Sequence, residues 1–158
     1  MTRDLGTLDV IGDGTYRLVF TRTLAHPIEK VWRAVSEPEH QTHWFPDGAF
    51  DGEVLVSEPP RVLELAWFTD RVRIELAASP DGTGTVFTLT DTFSEVGKAA
   101  RDGAGWHDCV DELEHHLDGT AADASMGTRW KALNAAYVDA LGPEAATIGV
   151  PDDFEFPD

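Results

Sequence analysis

Three observations predict an α+β fold in which an antiparallel sheet packs on one long helix. Residues 5–24 and 49–93 hold strand-like runs joined by tight turns. Near Lys98 the apolar period changes from two to 3.6, and two apolar stripes at helical spacing follow.

Each element follows from local pattern. LGTLDVI, the turn GDG and TYRLVFTRTL read as a hairpin; Tyr16, Leu18, Phe20 and Leu24 share one face of its second strand, with Arg22 among them. HPIEKVWRAVS places Pro27 at a helix start and Ile28, Val31, Trp32 and Val35 on one stripe. Pro38 ends that helix, and EPEHQTHWF forms a short second one before Pro46. Four strands come next: AFDGEVLVSE up to Pro59-Pro60, RVLELAWF, RVRIELAAS and, after the turn PDGTG, TVFTLTDTF with Asp91 among its inward apolar positions. In the long helix Trp106, Cys109, Val110, Leu113 and Leu117 fall on one arc, and Gly119 stops it. After the linker TAADAS, a last helix carries Met126, Trp130, Leu133, Tyr137 and Leu141 and ends at Gly142-Pro143.

Composition bounds the function classes. A chain of 158 residues with 42% apolar content supports one core, and residues 1–142 are expected as one domain followed by an acidic irregular tail, 143–158. With 12 basic against 29 acidic side chains the net charge is −17, which argues against nucleic-acid and anionic-membrane partners. Cys109 is the sole cysteine, so neither an intrachain disulfide nor a cysteine zinc cluster is expected. The opening residues lack an apolar signal region and no run is long enough to span a bilayer, so a cytoplasmic location is expected.

The order of elements is a helix-grip arrangement. RTLAHPIEKVWRAVSEPEHQTHWF, GEVLVSEPPRVLELAWF, GTVFTLTDTF and GWHDCVDELEHHLDG resemble, in order and spacing, signature stretches of the activator of heat-shock-protein-90 ATPase homologue family, within the START and birch-pollen-allergen-like (SRPBCC) superfamily. WKALNAAYVDALGPEAATIGVP resembles the extension of its bacterial members. One departure stands out: only PDGAFD separates Trp44-Phe45 from GEVLV, where the family carries a further strand pair. The resemblance implies a helix-grip fold, a thinner cavity wall, and a small apolar or amphipathic ligand between helix and sheet. It also implies two alternatives: an enzyme like the polyketide cyclases and dehydratases, or a chaperone-associated interaction protein. A homodimer or a protein partner is compatible with each.

Candidate cavity residues are Trp32, Trp44, Trp67, Phe87, Leu89, Trp106, Val110 and Leu113, large apolar groups expected between helix and sheet. Arg22, Asp91 and His116 are the polar cavity candidates. An inward charge needs a partner, so Arg22 and Asp91 are expected to form a salt bridge. His107, Asp111 and His115, at i, i+4 and i+8, share a helix face that is expected to meet water opposite Trp106 rather than to bind metal. Cys109 is expected as a small buried hydrophobe, and His40 and His43 as capping or surface groups. No metal, no cofactor and no catalytic residue is assigned.

Overall fold

The computed structural model describes residues 5–46 and 48–150. The far part of the expected acidic tail, residues 151–158, lies outside them.

Six strands follow the predicted runs: β1 (Thr7–Gly12), β2 (Thr15–Leu24), β3 (Val54–Glu58), β4 (Val62–Trp67), β5 (Asp70–Ala78) and β6 (Thr85–Phe93). They form one curved sheet in the order β1-β2-β6-β5-β4-β3, with antiparallel pairing throughout. Alternation sets its two faces. Leu18, Phe20, Leu24, Leu63, Leu65, Val72, Ile74, Leu76, Phe87, Leu89 and Phe93 are all buried on one of them. Between Phe45 and β3, described residues 48–53 form no strand. That segment is pinned by buried Gln41, whose side chain donates to the Val35 carbonyl at 2.9 Å and accepts from the Phe50 amide at 3.0 Å.

The buried face is covered by α1 (Ile28–Ser36) and α3 (Ala99–Asp118), with the short α2 (Pro38–Gln41) beside them. Trp44 fastens this layer through its indole N–H to the Ala34 carbonyl, 2.9 Å. α3 ends where predicted: Gly119 takes φ 72°, a left-handed conformation that side chains resist, and the Thr120 amide closes the turn on the His115 carbonyl. α4 (Met126–Leu141), capped by the Ser125 side chain, packs against α3. The approach is close at Gly103, where an added Cβ would stand 3.0 Å from the Tyr137 ring.

Two expectations are corrected here. Pro143–Ala146, expected as the start of an irregular tail, is a 3-10 turn that buries Ala145 and packs on α3. His107, expected in water, is wholly buried. At 100° per residue it stands only about 60° from Val110, so it flanks the buried arc rather than opposing it. Tyr137 of α4 then covers that flank, with His107 Nδ1 2.8 Å from the Tyr137 hydroxyl. No helix of the described residues is long and apolar enough to cross a membrane.

Candidate functional site

An open groove of about 500 Å³ lies where the β4–β5 turn meets the first half of α3. The turn itself is unusual. Trp67 pairs with Asp70 across a two-residue connection, and its first residue, Phe68, has φ 54° with 87% of its surface exposed. Glycine ordinarily fills such a position, and a side chain there costs about 1–2 kcal/mol. The fold thus holds an aromatic ring in solvent at the groove mouth against local backbone preference.

The groove walls are aromatic. Trp67 and Trp106 meet with ring centroids 5.1 Å apart, and Trp130 and Ile148 close the α4 side; Phe50, outside the lining, stacks on Trp67 at 5.8 Å. The polar floor comes from three elements. Asp70 begins β5, Lys98 ends the 3-10 turn Val96–Lys98, and Asp102 lies in the first turn of α3. The Lys98 ammonium donates to Asp70 Oδ1 at 2.7 Å and stands 3.8 Å from Asp102 Oδ2. Arg101 Nε donates to Asp102 Oδ1 at 2.9 Å.

Behind the floor sits Asp91. It pairs across the sheet with Val72, two residues along the same face from Asp70, so the two carboxyls are diagonal neighbours. Asp91 has no exposed surface, and neither of its oxygens receives a hydrogen bond. Burial, followed by the negative charges of Asp70 and Asp102, pushes its pKa up to about 8. At neutral pH it therefore holds its proton. Burial also raises the Asp102 pKa, against the pull of Arg101 and Lys98. One oxygen from each of Asp70, Asp91 and Asp102 lies within 4.8 Å of the others.

Of the predicted cavity residues, Trp67 and Trp106 line this groove. Trp44, Phe87, Leu89, Val110 and Leu113 are buried in a continuous core, and Trp32 packs half-buried against it. The expected Arg22–Asp91 salt bridge does not form. Both side chains point inward, but Arg22 stands opposite Phe87 and Asp91 opposite Leu18. Four residues of strand separate them, about 13 Å. Arg22 instead binds Asp111 at 2.8 Å and Glu114 at 3.2 Å, with His107 Nε2 3.3 Å away. The chain of contacts runs on from His107 to the Tyr137 hydroxyl, which accepts from the Gly6 amide at 2.7 Å. Burial pushes the Tyr137 pKa up to about 12.

His116 lies at the other end of α3, ten residues and about 15 Å from Trp106. It stacks on His43 at 4.4 Å, and its Nε2 is 2.9 Å from His40 Nδ1. His40 and His43 thus join a three-imidazole cluster. Partial burial, then the neighbouring His43, His40 and Lys30, lowers the His116 pKa. Cys109 is buried, as expected. Sequence reading passed over Asp70, Lys98 and Asp102. Asp70 continues the inward alternation of Val72 and Ile74, and that was the one signal available for it.

No protein-family model matches the chain, and no curated protein matches it either. Solved structures do. A conserved protein of unknown function from Enterococcus faecalis, EF2215, is similar with a TM-score of 0.69 at 16% identity, over 86% of this chain and 90% of that one. CalU16 from Micromonospora echinospora, in its solution structure, is similar with a TM-score of 0.66 at 18% identity, over 93% and 94%. DynU16, from the dynemicin biosynthetic locus, is similar with a TM-score of 0.54 at 20% identity, over 65% of this chain and 47% of that one. The fold is a helix grip. At these identities the likeness shows the fold and leaves function to the site.

Proposed function

We propose that the protein binds a small amphipathic molecule in the groove between Trp67 and Trp106. Its apolar part lies against the tryptophans and its polar end faces Asp70, Lys98 and Asp102. The observation that carries this reading is the groove itself: about 500 Å³, with aromatic walls and an ion-paired floor. Both the size and the pairing of apolar walls with a few convergent polar groups are those of small-molecule sites. The interior between α3 and the sheet holds the buried core cluster that includes Phe87, Leu89, Val110 and Leu113, and this reading places the ligand in the groove instead. The helix-grip fold supports it, as does the resemblance to the SRPBCC superfamily and its heat-shock-protein-90 ATPase activator homologues. The place of DynU16 in a biosynthetic locus supports a small organic molecule as the ligand class.

A second reading, proton-transfer catalysis of the cyclase or dehydratase kind, is favoured by Asp91 alone. A carboxyl that titrates near neutrality and lies beside Asp70 behind the groove floor has the properties of a general acid–base. Arg22 and His116 lie too far away to assist it. For a chaperone-associated role the exposed apolar residues are the relevant feature. Among the described residues Val10, Val54, Phe68, Val138 and Ile148 belong to five separate segments.

The test is native mass spectrometry of protein purified from its own host, against a denatured control and a Trp67→Ala variant. A bound molecule that is lost on denaturation and weakened in the variant supports the reading. An apo mass, together with tryptophan fluorescence unchanged by a panel of amphiphiles, overturns it.

A further inference from the structure

We propose that Asp70, Asp91 and Asp102 form a binding site for one hard divalent cation, of the Mg²⁺, Mn²⁺ or Ca²⁺ class, in the wall of the tryptophan groove. Two separate observations lead there. The first is distance: oxygens from β5, β6 and α3 converge within 4.8 Å of one another. Oxygens bound 2.0–2.6 Å from a single ion are at most about 4–5 Å apart, so the three carboxyls need to close in by only a few tenths of an ångström to share one ion. The donor set is oxygen only, which selects hard cations over zinc or copper.

The second observation is Asp91 itself. Among the described residues it is the buried side chain left without any hydrogen-bond donor on its oxygens, and it is aimed into the cluster. A buried polar group in that state is costly, and native folds rarely keep one without use. Lys98 does not remove the cost: its ammonium binds Asp70 and approaches Asp102, but gives Asp91 no hydrogen bond.

Access is provided by the groove. Asp70, Lys98 and Asp102 all line it, so an ion enters from solvent and keeps water ligands on that side. Lys98 then acts as an internal stand-in for the cation. Its ammonium sits on a flexible stem and leaves Asp70 when the ion arrives. The site does not depend on an organic ligand in the groove, and its test uses the metal alone.

Mn²⁺, Mg²⁺ and Ca²⁺ are titrated separately into the full chain by calorimetry, at a salt concentration that screens the acidic surface. One saturable site is expected for at least one of the ions. Asp91→Asn weakens it by at least about tenfold, the scale on which lost metal-site contacts are felt. Lys98→Met tightens it, because the competing ammonium is gone. Circular dichroism verifies that both variants fold. Absence of saturable binding by about 10 mM, beyond the weakest calcium modules, overturns the proposal. Equal binding by Asp91→Asn and the native chain also overturns it, since the ions then sit on the acidic surface. Should Asp91→Asn fail to fold, Lys98→Met and Asp102→Asn decide instead: affinity unchanged in both refutes the site.

Discussion

Replacing Asp91 by Asn keeps the size of the side chain and removes its charge. In the native protein the Asp91 pKa is about 8, against 3.8 for an ordinary aspartate. Between those values the folded chain holds a proton that the unfolded chain has released. Stability therefore falls as pH rises through the interval, and the loss is complete above the folded value. Each pH unit costs up to about 1.4 kcal/mol, so from about pH 5 to about pH 8 the ceiling is about 4 kcal/mol. Asp70 raises this pKa and the Lys98 charge lowers it, and both are already contained in the value; relaxation and water penetration around the ionised carboxyl reduce the penalty, leaving an expected loss of about 2 kcal/mol. The assay is urea unfolding in a chelating buffer at several pH values, for native protein and Asp91→Asn side by side. Groups that titrate in both proteins, Asp102 included, cancel in the difference. The variant is expected to gain on the native protein as pH rises and to be the more stable of the two near pH 8. Two stability curves that run parallel, within about 0.5 kcal/mol at every pH, would refute the reasoning, because that is the scale of an ordinary surface change.

Three further outcomes follow from the same geometry. Arg22→Met strips the Arg22 partner from Asp111 and Glu114; both retain some contact with water, so a loss of about 2 kcal/mol in urea unfolding is expected, below the 3–5 of a fully enclosed pair. His116 is expected to titrate below 6.5 by NMR, and His43→Ala to move it back towards that value. The unfolded chain takes up that proton first, so the His116 contribution to stability is present above this range and is lost as pH falls through it. Phe68→Gly relieves the left-handed strain and sheds little buried surface, so it should stabilise by about 1 kcal/mol while weakening any groove ligand seen by native mass spectrometry.

Much of the fold was legible because its signals are local. Strict alternation in TYRLVFTRTL and TVFTLTDTF set both the strands and their buried faces, and Pro27, Pro38 and Gly119 marked where helices begin and end. The inward placement of Arg22 and Asp91 was legible for the same reason. Their pairing was not. Alternation places a residue on a face but not opposite a given neighbour, and the β2–β6 register set the two charges four residues apart.

The helices divide in the same way. The stripe of α3 was readable, but the environment of His107 depends on α4 arriving over its flank through Tyr137, a contact thirty residues away in sequence. The tryptophan groove and its carboxylates lay further from view, since Asp70, Asp91 and Asp102 belong to three elements with no common spacing. The sequence by itself determined the elements, their order, the identity of the core face and the burial of two charges within it, because these depend on periods of two and 3.6 residues along one chain. Only the tertiary structure decided which charge met which partner, which tryptophans faced solvent and which carboxyl was left without a donor. Hydrogen bonds and ion pairs act over about 3 Å, and only strand register and helix packing bring distant residues that close.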